Sequence, residues 1–146
     1  MNDRLSSENL HATCVARGGR AVLLLGRSGS GKSDLALRLL DHGFTLVSDD
    51  RTLVRREDKR LIASAPPAIR GKIEVRGLGI VDVPAIDDVP VALAAELDVD
   101  IPRLPDDSRE RLFLGIAIPL IAVDAMTASA AAKVALALDH FGLPCE

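Results

Sequence analysis

A chain of 146 residues is the size of one ordinary domain, and 48% apolar with 27% charged residues is the balance of a globular protein with a buried core. Three Phe with no Trp or Tyr leave little for stacking bases, and a formal charge of −3 argues against non-specific attachment to nucleic acid, whose phosphates need a basic surface. Small molecules or a protein are the expected partners.

No apolar run approaches the ~18 residues of a membrane span, and residues 1–8 lack the apolar core of a signal peptide, so no membrane association and a cytoplasmic location are expected. Cys14 and Cys145 lie at opposite ends of the chain without metal-ligand spacing and read as free thiols.

In chain order, Asn9–Ala16 alternates loosely, Arg17-Gly18-Gly19-Arg20 turns, and Ala21–Leu25 is an apolar run. This predicts a β-hairpin whose first strand carries His11, as a hydrogen-bonded strand histidine or as a functional one. The second strand runs into Gly26-Arg27-Ser28-Gly29-Ser30-Gly31-Lys32-Ser33, which fits G-x-x-x-x-G-K-S/T. In that pattern the glycines let successive N–H groups turn inward around a polyphosphate, Lys32 reaches the β/γ-phosphates and the Ser33 hydroxyl ligates Mg²⁺.

Leu35, Ala36, Leu39 and Leu40 follow helical spacing from Lys32, with Gly43 at the C-terminal end. Phe44–Ser48 then forms a strand ending in Asp49-Asp50, an acidic pair that divides naturally into a metal-shell ligand and a base. Residues 51–65 read as a second hairpin, stopped by Pro66-Pro67. In Lys72–Val83, Gly77 and Gly79 suggest close approach to a ligand or a tight bend. Extended backbone there would put Glu74 and Arg76 on one face, as an ion pair or as partners of Mg²⁺ and phosphate.

Val91–Leu97 is compatible with a strand or a short helix, and its apolar texture favours the strand. Arg103 rides on a Pro-rich loop, either solvated or able to reach a transferring phosphoryl group. Leu112–Val123 gives one or two strands broken near Pro119, and Thr127 is placed to cap a final helix through about Phe141.

These segments, above all Glu74-Val75-Arg76-Gly77-Leu78-Gly79-Ile80-Val81-Asp82, resemble the catalytic domain of HPr kinase/phosphorylase. The resemblance runs from about Asn9 to Val123 and is to the short form of the family, so residues 1–146 are expected to be a single catalytic domain. It implies a phosphate-loop (Walker A) α/β fold with a mixed sheet and a phosphoenolpyruvate-carboxykinase-like core. It also implies ATP and Mg²⁺ as cofactors, a serine of HPr, the phosphocarrier of the sugar phosphotransferase system, as acceptor, and a homo-oligomer, hexameric in long members.

By motif position, residues 26–33 bind the nucleotide, Ser33 and Glu74 serve Mg²⁺, and one of Asp49 and Asp50 is the base, Asp50 being favoured and Asp49 serving the metal shell or positioning. His11 and Arg103 fall on the family's active-site histidine and arginine. Beyond Pro119 the family continues through a basic stretch tied to dephosphorylation, where this chain has Leu120–Met126. Kinase activity is therefore the expectation. Phosphorolysis, with inorganic phosphate in the loop, is not carried by that segment. A phosphate-sensing module that binds a partner without turnover, or a kinase of another substrate, are the alternatives.

Overall fold

The computed structural model describes residues 6–99, 101 and 109–144. At its centre is β3 (Arg20–Leu25), whose Ala21 to Leu25 are all buried. A strand covered on both faces has no polar side to present, which is why this run is uninterrupted in the sequence. Val22 and Leu24 face a cluster built with α1 (Lys32–Leu40) and α2 (Ala130–Phe141), through Leu35, Leu39, Val134 and Leu138. Ala21, Leu23 and Leu25 face a second cluster, closed by side chains such as Val54, Leu61, Phe113 and Ile118. Each of the larger side chains so buried contributes roughly 1.5–3 kcal/mol.

The strands form one mixed nine-stranded sheet and a separate two-stranded sheet. In the large sheet β3 pairs antiparallel with β2 (Ala12–Arg17) through the Gly18-Gly19 turn, and parallel with β9 (Val89–Glu96). Beyond β2 lies β4 (Thr45–Ser48), antiparallel to it. Hence β3, α1 and β4 make a βαβ crossover into whose gap β2 has been inserted.

On its far edge β9 carries two neighbours in succession. Near Val89 and Pro90 it pairs with β6 (Arg60–Ser64), which leads to β5 (Thr52–Glu57) and β1 (Ser7–Leu10). From Ala94 to Glu96 it pairs parallel with β11 (Ile116–Ala122), which pairs in turn with β10 (Glu110–Phe113). The small sheet is the hairpin β7 (Lys72–Val75) and β8 (Gly79–Asp82).

Four expectations are corrected. His11 is at the bend between β1 and β2, because the chain leaves its pairing with β5 there to pair with β3. Arg76 lies in the turn of the β7–β8 hairpin, so it does not share an extended face with Glu74; the glycines mark a tight bend. The break between β10 and β11 is at Leu114-Gly115, where both φ angles are positive, and Pro119 sits inside β11. Pro119 is tolerated because it stands where β11 passes from β10 to β9: the ladder with β9 starts at Leu120. Finally, α2 starts at Ala130, and Thr127 turns its hydroxyl back to the Asp124 carbonyl at 2.9 Å instead of capping the helix.

Candidate functional site

The carboxyl ends of β3, β4 and β9 meet at one edge of the sheet, with the start of β2 beside them. In an open α/β sheet this is where ligands bind, since loops there converge from neighbouring strands.

The loop after β3 wraps tightly. A Cβ on Gly26 would run into the Ser30 hydroxyl, and one on Gly31, whose φ is +97°, would come within 3.0 Å of the Ala125 Cβ. Only glycine fits both positions. Gly31 leads directly into α1, accepting the Leu35 N–H at 2.9 Å, and the first N–H groups of that helix have no intrahelical acceptor. Lys32 is nearly buried and its ammonium donates to the carbonyls of Gly26 at 2.7 Å and Arg27 at 3.0 Å, spanning the loop it would serve. The Ser30 hydroxyl is buried without a hydrogen-bond partner. An unpaired buried hydroxyl, a lysine and free helix N–H groups are the donors that a polyphosphate needs.

Asp49 and Asp50 are adjacent in sequence and unlike in surroundings. Asp49 is 8% exposed, and its carboxylate accepts from Ser33 Oγ at 2.6 Å, Thr13 Oγ1 at 3.1 Å and the Glu74 N–H at 3.0 Å. Asp50 is exposed, has φ +67°, and meets His11 Nε2 through Oδ1 at 2.7 Å. An ionised carboxylate only accepts, so in that state Nε2 is the donor. The left-handed backbone of Asp50 turns successive carboxylates apart; it is held by the Asp50 N–H donating to Thr13 Oγ1 at 3.0 Å.

Ser33 Oγ and Asp49 Oδ1 together offer a hydroxyl and a carboxylate, which fits Mg²⁺, a cation that takes few protein oxygens and completes its octahedron with phosphate and water. No cluster of three or more His, Cys, Asp or Glu side chains suited to a metal occurs among the described residues. Glu74 joins the cluster through its main-chain N–H, while the residue itself is exposed. Arg103 lies outside the described residues.

Two participants were missed in the sequence. Thr13 is wholly buried and bridges the two aspartates; the signal was a lone hydroxyl in the otherwise apolar run Ala12–Ala16. Asp98, just past the end of β9, accepts the Arg27 N–H at 3.0 Å and Arg27 Nε at 3.1 Å. The Arg27 N–H, with its guanidinium adding to it, holds the Asp98 carboxyl below the usual carboxylate range. Its signal was position: an acid at the carboxyl end of a strand parallel to β3.

The curled mixed sheet, the glycine loop feeding a helix, and the paired aspartates at the end of β4 define a phosphate-loop α/β domain. The profile of the HPr Serine kinase C-terminal domain family matches residues 3–138, and the chain belongs to that family. It is 38% identical over 133 residues to the HPr kinase/phosphorylase of Chlorobium phaeobacteroides, covering 82% of this chain and 39% of that protein. The HPr kinase/phosphorylase of Prosthecochloris aestuarii is 37% identical over 135 residues, covering 83% of this chain and 40% of that one. The chain thus spans about two fifths of these curated relatives. Among solved structures, the Hpr(Ser) kinase/phosphatase from Coxiella burnetii superposes with a TM-score of 0.77 at 29% identity, over 91% of this chain and 95% of that one.

Proposed function

We propose that residues 1–146 form a catalytic domain that phosphorylates a serine of HPr using ATP and Mg²⁺. The observation that carries this reading is the division between the two aspartates: one enclosed by three donors beside Ser33, the other exposed and oriented by His11. Membership of the family supplies the acceptor, since the relatives are named for acting on HPr.

A serine hydroxyl is a weak nucleophile at neutral pH and needs a carboxylate to take its proton as transfer proceeds. Asp50 has that position, with Oδ1 fixed by His11 and Oδ2 without a partner among the described residues. The serine proton passes to Asp50, the serine oxygen forms its bond to the γ-phosphorus, and the bond from that phosphorus to the β-bridging oxygen breaks, releasing ADP. Asp49 is a poor base because three donors stabilise its carboxylate and it lies buried beside the loop; it orients Ser33 instead. Lys32, the loop N–H groups and the helix α1 terminus align the phosphates. Mg²⁺, when bound, neutralises charge on the β- and γ-phosphates. Ser33 and Asp49 would hold it; by family resemblance Glu74 would serve it as well, and Arg103 would act on the transferring phosphoryl group. Phosphorolysis would run the same proton path in reverse, Asp50 acting as the acid.

Transfer of label from γ-labelled ATP with Mg²⁺ to purified HPr tests the proposal. Label on HPr that disappears in Lys32→Ala supports it. Tight ATP binding by the wild type with no label on HPr refutes it and leaves a phosphate-sensing module.

A further inference from the structure

Beside the loop is a cavity of about 340 Å³, lined by Arg27–Ser30 together with Leu97, Asp98 and Met126. Lys32, Ser33 and Asp49 do not line it. It is therefore next to the phosphate cradle and not part of it, and its size falls in the ~300–1,000 Å³ range of small-molecule sites.

Three features of its wall are built rather than incidental. Asp98 has only 23% of its side chain exposed; Oδ2 holds Arg27, while Oδ1 takes no hydrogen bond from another described residue. Arg27 is anchored by its N–H and Nε, yet its side chain is 86% exposed, leaving the guanidinium plane open. Met126 is 86% exposed, on backbone that is firmly pinned. Its own N–H donates to Asp124 Oδ1 at 2.9 Å, and Arg38 donates to the carbonyls on either side, those of Ala125 and Thr127. A largely exposed thioether on a fixed turn, lining the same cavity as a planar cation and an acceptor with a free oxygen, suits a flat heterocycle carrying N–H or O–H donors.

We infer that this cavity is the nucleoside subsite: the base lies between the Arg27 guanidinium and Met126, and Asp98 Oδ1 accepts a donor from the sugar or the base. The inference rests on the nucleotide reading of the loop above and extends it to three residues outside the motif, Leu97, Asp98 and Met126. It also gives a role to Leu120–Met126, where the chain departs from the family's basic stretch.

The test compares binding of ATP and of inorganic tripolyphosphate, each with Mg²⁺, by calorimetry on wild type, Asp98→Asn and Met126→Ala. Asn retains an acceptor for the Arg27 N–H but turns the other oxygen into a donor. Wild type is expected to bind ATP more tightly than tripolyphosphate, and each variant to lose about tenfold in ATP affinity, Asp98→Asn through one hydrogen bond to a charged group and Met126→Ala through lost contact with the base, with tripolyphosphate changed less than about twofold. Equal losses for both ligands would make Asp98 and Met126 supports of the loop only and overturn the subsite. Equal wild-type affinities for the two ligands would overturn it while leaving the phosphate loop intact. Binding of neither ligand would overturn the nucleotide reading and the subsite together.

Discussion

Replacing Thr13 by Val removes one hydroxyl and little volume, yet that hydroxyl is the joint between the two aspartates. It donates to Asp49 at 3.1 Å and accepts the Asp50 N–H at 3.0 Å, in a residue with no solvent exposure. A hydrogen bond to a charged group is worth about 1.5–3 kcal/mol, and an N–H left unpaired costs about 1–3 kcal/mol. Asp49 keeps its other two donors and the Asp50 backbone is only part-buried, so the lower halves of these ranges apply and the sum is about 3 kcal/mol. With a urea slope of about 2 kcal/mol/M, the unfolding midpoint falls by about 1.5 M. Thr13→Ser retains both bonds and loses one methyl group, at about 1 kcal/mol. Equilibrium urea unfolding followed by circular dichroism reads both. A Thr13→Val variant within about 0.5 kcal/mol of wild type, or a Ser variant as unstable as the Val one, would refute the reasoning.

Other outcomes follow from particular residues. Asp50→Gly relieves a left-handed backbone that Asp50→Ala does not, so Gly is expected to be more stable than Ala by about 1 kcal/mol in the same unfolding assay. Gly31→Ala, at φ +97° and 3.0 Å from the Ala125 Cβ, is expected to weaken tripolyphosphate binding at least tenfold, which calorimetry measures. Burial pushes the Cys14 thiol well above its ordinary value, so the folded state keeps its proton while the unfolded state loses it. The stability this contributes is complete below about pH 8.5 and declines as pH rises beyond that by up to about 1.4 kcal/mol per unit. Cys14→Ala removes that slope in unfolding measurements between pH 8 and 10.

The phosphate loop was legible because its pattern sits between an apolar run and a helical one, and local sequence decides all three parts. The Asp49-Asp50 pair was legible for the same reason, as was β9 from its apolar texture. His11 was misplaced because Asn9–Ala16 reads as one alternating strand; what divides it is the change of partner from β5 to β3, which is tertiary. Pro119 looked like a strand break, and only the handover from β10 to β9 shows why its missing N–H is harmless there. Thr13 and Asp98 were invisible as site residues because neither belongs to a motif. They matter through residues far away in the chain, which strand pairing alone brings within hydrogen-bond reach.

The most direct test of the account is the single-turnover rate of phosphoryl transfer to HPr by Asp50→Asn, with ATP binding measured on the same protein. Asn keeps the size and an acceptor oxygen for His11 but cannot take a proton. The account predicts ATP affinity within about twofold of wild type and transfer slowed at least a hundredfold, the lower end of what general-base catalysis contributes. Transfer at near wild-type rate would contradict it and remove Asp50 from the proton path.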